Sequence, residues 1–131
     1  MKQKIIWTNG CFDILHRGHI EMFKYAKSLG DRLVVGIDSD NRVKEDKGED
    51  RPINNLDDRM FVLDSIECID IVLDFDSTNE LRNLIKDIKP DVMVIGSDWK
   101  DKKVVGEEYA GKVDFFDRIE GYSTTKILEN K

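Results

Sequence analysis

The stretch Thr8-Asn9-Gly10-Cys11-Phe12-Asp13-Ile14-Leu15-His16-Arg17-Gly18-His19 follows an apolar run, Ile5-Ile6-Trp7, and precedes an amphipathic run from Ile20 to Leu29. That is the layout of a first β-strand, a glycine-containing turn, and a helix whose N-terminus lies at the strand's C-terminal end. Ligands of open α/β sheets bind at that place. The first amides of such a helix have no intrahelical partner and favour an anion such as a phosphate. With the helix starting near Arg17 or Gly18, both imidazoles face one pocket, and Gly18 leaves room for a ligand to approach the backbone. These are the only two histidines in the chain. The plain alternative makes His16 a turn cap and His19 an ordinary first-turn residue. A metal site of His16, His19 and Asp13 is a weaker rival, because the chain offers no further histidine and only Cys11 and Cys68 as thiols.

Outward from this turn, strand and helix patterns alternate. Leu33-Val34-Val35-Gly36-Ile37 is a continuous apolar run, as a buried parallel strand requires. Asp40 to Asn55 is highly charged and reads as a solvated loop carrying Lys44, Lys47 and Gly48. Leu56 to Ile66 reads as a helix capped by Asn55 or Asn54, with Leu56, Met60, Leu63 and Ile66 (or Val62) on its apolar face. Ile69 to Leu73 is a third strand. The helix after Asp76 to Asn79 turns Leu81, Leu84, Ile85 and Ile88 inward, and Pro90 stops it. Val92 to Gly96 and Val113 to Phe116 are the fourth and fifth strands, and Ser123 caps a last helix running to Asn130. This alternation predicts an α/β fold, a doubly wound parallel sheet with helices on both faces.

At 131 residues the chain fits one domain, 1–131. With 37% charged residues and a formal net charge of -6, a general basic surface for nucleic acid is excluded, and cations must be gathered locally to hold a nucleotide. Two cysteines far apart make no disulfide framework and read as free thiols in a reducing compartment. The N-terminus enters a strand directly, with no signal peptide and no apolar run long enough to cross a membrane. The expectation is a soluble cytoplasmic protein with no membrane partner.

Arg118-Ile119-Glu120-Gly121-Tyr122-Ser123-Thr124-Thr125-Lys126 is a second motif of the same chemistry. It combines a guanidinium suited to bidentate phosphate contact, a glycine turn, and hydroxyls at a new helix N-terminus. Together the two motifs resemble the His-x-Gly-His nucleotidyltransferase superfamily and its small cytidylyltransferase-like branch. The resemblance implies a Rossmann-like five-stranded sheet ordered 3-2-1-4-5. It implies that His16, His19, Arg118 and Lys47 (or Lys44) meet the triphosphate and transition state. Thr8, Asn9, Gly10, Cys11, Phe12 and Gly18 shape the nucleotide site, and Ser123, Thr124 and Thr125 hold the phosphates. Gly96-Ser97-Asp98-Trp99 resembles a Gly-Asp-Asp-Trp stretch of the family, which places Asp98 toward nucleotide or acceptor and Trp99 along the pocket. Asp13 orders the histidine turn or lies near a metal. Arg59 braces the site, joins a dimer contact, or is a helix-surface arginine.

The implied reaction is in-line attack by a phosphorylated small acceptor on the α-phosphorus of a nucleoside triphosphate, with Mg²⁺ accompanying the nucleotide and no separate protein metal site. The leading branch uses CTP and glycerol 3-phosphate. The alternative uses ATP and heptose 1-phosphate, and Arg51-Pro52-Ile53-Asn54 resembles that branch. A non-catalytic nucleotide-sensing module is the competing class. The family also implies a homodimer.

Overall fold

The computed structural model describes residues 2–117 and residue 128. Five strands form one sheet in the order β3-β2-β1-β4-β5, every neighbouring pair parallel. They are β1 (Ile5–Gly10), β2 (Arg32–Asp38), β3 (Ile71–Phe75), β4 (Val92–Gly96) and β5 (Lys112–Phe116). The helices are α1 (Arg17–Ser28), α2 (Asp40–Lys47), α3 (Leu56–Asp64) and α4 (Thr78–Ile88). The doubly wound sheet and its strand order are as the sequence implies.

The period of two along each strand divides the core between the faces. Ile6, Leu33, Val35, Ile37, Val92 and Val94 pack with Phe23 and Ala26 of α1 and Leu63 of α3. Their neighbours Trp7, Val34, Met93 and Ile95 point the other way, against Leu81 and Ile85 of α4. Trp7 is wholly buried. Its indole lies against the backbone of β2 because residue 36 is glycine: a Cβ there would fall 2.5 Å from Trp7 Cζ2.

Helix starts follow their caps. Ser39 accepts from the Arg42 amide at 3.3 Å, Asn55 from the Asp58 amide at 2.9 Å, and Ser77 from the Glu80 amide at 3.1 Å. At the far end of α4, Lys89 turns left-handed at φ 49° just before Pro90. Three sequence expectations shift. Asp40 to Lys47, read as loop, is helix α2, because Ser39 caps it and Val43 is buried beneath it. The third strand is Ile71–Phe75 rather than 69–73, since Ile69 closes the turn after α3 by bonding to Ile66. Leu56, Met60, Leu63 and Ile66 pack into the core as expected, while the alternative to Ile66, Val62, faces outward and α3 ends at Asp64. The helix assigned to Ser123–Asn130 falls outside the described residues except at Leu128, which is helical.

Candidate active site

The first strand runs through Thr8 and Asn9 to Gly10, so the turn is shorter than the sequence implies. Gly10 lets the Phe12 ring fold back over it, since a Cβ at residue 10 would meet Phe12 Cζ at 3.0 Å. Phe12 itself takes φ 46°, a left-handed conformation that costs a side-chain-bearing residue roughly 1–2 kcal/mol. The strain is offset by packing: its ring is buried and lies edge-on to Phe23 at 5.2 Å and to His19 at 5.5 Å. Phe12 is therefore part of the core, packed against His19. Thr8 is likewise buried.

His16 is the N-cap of α1. Its Nδ1 accepts from the Gly18 amide at 3.0 Å, and its own amide donates to His19 Nδ1 at 3.2 Å, a reciprocal box made by two imidazoles. The rings lie 3.9 Å apart. Capping and chemistry are thus compatible roles. With Nδ1 an acceptor, the neutral ring carries its proton on Nε2, and each imidazole is fixed as an Nε2–H donor. One expectation fails here: the Gly18 amide goes to the cap and the His19 amide donates to His16 O at 3.1 Å. These two amides are not available to an anion.

A cavity of about 580 Å³ opens across the ends of three adjacent strands, where Gly10, Asp38 and Gly96 all line it. It sits where the order reverses about β1, the place expected for a ligand. Of the residues singled out in the sequence, Asn9, Gly10, Cys11, Lys47, Asp98 and Trp99 line it. Asn9 Oδ1 accepts from Trp7 Nε1 at 2.8 Å, which fixes its side chain on the α4 face. Lys44 is exposed and lies outside the cavity, so Lys47 is the better placed of the two lysines. His16 and His19, at the start of α1, are not among the residues that line it. Arg118, Ser123, Thr124 and Thr125 lie outside the described residues. The sequence reading missed Asp38 and Arg42, which also line the cavity. Their strand-end position and i, i+4 spacing were the available signal.

Asp13 orders the loop beside the histidine turn. Its carboxylate side chain is fully buried and accepts from Arg51 Nε at 2.8 Å, Ile53 N at 2.8 Å and Asn54 N at 2.9 Å. It ties the segment after α2 to the histidine turn. Burial pushes its carboxyl up, but the Asn54 and Ile53 amides and the Arg51 guanidinium outweigh that and hold it below the ordinary carboxylate value. A lowered folded-state pKa gives stability that is present above about pH 4 and lost as pH falls further. Asp13→Asn should cost about 3 kcal/mol at pH 7. In urea titrations that difference should shrink below about pH 4; a gap undiminished at pH 3 would refute the role of the charge.

Arg59 is the second tie. Its side chain has no exposure, which rules out both the helix-surface and the dimer-contact alternatives. Nη1 donates to Cys11 O and to Asp38 O, each at 2.8 Å. Nε donates to Asn54 O at 3.0 Å, and Nη2 meets Asp40 Oδ1 at 2.7 Å. One guanidinium thus fixes the backbone at two edges of the cavity.

A parallel sheet of this order, with paired imidazoles at its first turn and a cavity across three strand ends, defines a Rossmann-like nucleotidyltransferase. The chain belongs to the cytidylyltransferase-like family, whose model matches residues 7–130. It is 50% identical over 129 residues to "Bifunctional protein HldE" of Helicobacter hepaticus, and 52% identical over 128 residues to the protein of that name from Campylobacter concisus. Each alignment covers 98% of this chain but 27% of the relative, so the chain spans about a quarter of the length of those proteins. Among solved structures, the lipopolysaccharide core biosynthesis protein from Thermoplasma volcanium is similar, with a TM-score of 0.69 and 26% identity. That match covers 93% of this chain and all of that one. A pantoate-beta-alanine ligase from Francisella tularensis, 18% identical with a TM-score of 0.61, shares the fold.

Proposed function

We propose that this chain transfers AMP from ATP to a sugar 1-phosphate, heptose 1-phosphate being the favoured acceptor, and releases pyrophosphate. The observation that carries this reading is identity of about half to HldE proteins along nearly the whole chain, where the matching relatives supply a heptose-1-phosphate adenylyltransferase domain. It supports the ATP branch over the cytidylyltransferase acting on glycerol 3-phosphate, which the sequence motifs put first. The clamped Arg51–Asn54 segment is in keeping with the same branch.

The acceptor's phosphate oxygen attacks the α-phosphorus in line, the bond to the bridging oxygen breaks, and pyrophosphate leaves. The nucleophile is already an anion and needs no base. The protein supplies position and charge neutralisation. His16 and His19 donate from Nε2 to triphosphate oxygens, and Lys47 bridges the two reactants. Arg118, Ser123, Thr124 and Thr125 hold the β- and γ-phosphates. The described lining sets Asp38, Glu45, Asp46 and Asp98 against Arg42 and Lys47, so bound phosphates need added positive charge. Mg²⁺ would fit that need, and Asp98, which lines the cavity, would be the carboxylate to help hold it. That ion would neutralise charge on the triphosphate. A homodimer and a cytoplasmic setting complete the reading. No helix among the described residues is long and apolar enough to cross a membrane.

Pyrophosphate release with Mg²⁺ tests the reading directly. Turnover is expected with ATP and a heptose 1-phosphate. Turnover confined to CTP with glycerol 3-phosphate would overturn it, and nucleotide binding without release under any pairing would leave a sensor.

A further inference from the structure

The cavity has two sides about the central strand. Gly96, Asp98 and Trp99 line it from the β4 side, while Asp38, Arg42 and Lys47 line it from the β2 side. The β2 side holds a polar pair that the proposed chemistry does not use. Arg42 Nε donates to Asp38 Oδ1 at 2.8 Å, with the two side chains 27% and 21% exposed.

We propose that the Asp38–Arg42 pair reads the hydroxyls of the acceptor, so that this side of the cavity takes a phosphorylated sugar in preference to a phosphorylated short alcohol. The inference rests on the transferase reading above and adds its specificity residues.

The guanidinium is held from three directions. Beyond Asp38, its Cζ lies 5.3 Å over the ring of buried Phe75, and Nη1 reaches Thr78 Oγ1 at 3.4 Å. Its supports are the ends of β2 and β3 and the start of α4, all rigid elements. The Nη2 edge of Arg42 and Oδ2 of Asp38 have no partner among the described residues. A donor edge and an acceptor oxygen are thus fixed side by side at the cavity wall. A vicinal diol matches that pattern, because each hydroxyl both donates and accepts. Phosphate matches it less well. The guanidinium already shares its charge with a carboxylate, and the neighbouring Asp46 and Glu45 add to the repulsion of an anion. Lys47, with no ion-pair partner among the described residues, is the phosphate cation on this side. Leu81, Val104 and Val105 give the same cavity an apolar wall for the C–H face of a ring. The pair does little as a stability device, since half-open ion pairs at i, i+4 contribute well under about 1 kcal/mol.

Calorimetric titration of the whole chain decides the matter, with Mg²⁺ and an ATP analogue carrying a methylene between the α- and β-phosphorus. A pyranose 1-phosphate and glycerol 3-phosphate are titrated into wild type, Arg42→Ala and Asp38→Asn. Wild type should prefer the sugar phosphate by about tenfold or more. Each variant should lose most of that preference, with affinity for the ATP analogue within about twofold and melting within about 2 °C of wild type. The inference is overturned if wild type binds the two acceptors equally or binds neither. It is also overturned if the variants keep the preference, or weaken the nucleotide instead. Pyrophosphate release then separates the two readings. Sugar-phosphate binding through the pair without release removes the transferase and leaves the subsite. Release with an unchanged acceptor KM in Arg42→Ala removes the subsite and leaves the transferase.

Discussion

Replacing His19 with alanine should lower kcat by about a hundred- to a thousandfold, the usual cost of one donor aimed at charge that develops in the transition state. The substitution also removes the acceptor for the His16 amide, so a modest loss of stability, about 1 kcal/mol, should accompany it. His16→Asn separates the two effects. Asparagine is a good N-cap and can accept from the Gly18 amide as His16 Nδ1 does, but it does not carry a donor to the position of Nε2. Its melting temperature should stay close to wild type while its turnover falls with that of His19→Ala. Steady-state pyrophosphate release and circular dichroism melts give both readouts. If His19→Ala retains kcat within about tenfold of wild type, the imidazoles are caps alone.

Arg59→Ala should be the most destabilising substitution among the charged residues, by about 3–5 kcal/mol. It strips Cys11 O, Asp38 O and Asn54 O of a donor and leaves the Asp40 carboxylate without its cation. In a domain of this size that corresponds to a fall in melting temperature of roughly 10–20 °C. Arg59→Lys should recover only part of it, because an ammonium cannot reproduce the planar fork that reaches three segments at once. Where the variant still folds, the backbone at Cys11 and Asp38 is no longer held, and KM for the nucleotide should rise. Thermal melts within about 2 °C of wild type would remove Arg59 from this role.

These two positions differ in how far the sequence discloses them. The spacing of His16 and His19 at the end of an apolar run is local information. A strand followed at once by an amphipathic helix can place that turn only at the C-terminal end of the strand. The parallel sheet is legible for a similar reason. Runs such as Leu33–Ile37 and Val92–Gly96 are apolar without alternation, which only burial on both faces explains. The resemblance put Lys47 first and Lys44 as its alternate. Of the two, Lys47 lines the cavity, and helix α2, which carries both, was hidden because its residues are nearly all charged and only Val43 is buried.

What the chain alone determined is the alternation of strand and helix, the turn that carries both imidazoles, and the family to which those motifs belong. Tertiary structure decided what its polar residues do. Asp13 and Arg59 look like surface groups in a chain that is 37% charged, yet both are buried. Their partners lie 38 to 41 and 5 to 48 residues away in sequence. Such pairings are set by which strand ends the sheet order brings together, and no local pattern encodes them. The same holds for Asp38 and Arg42: their spacing is local, but the cavity they face exists only once β1, β2 and β4 lie side by side.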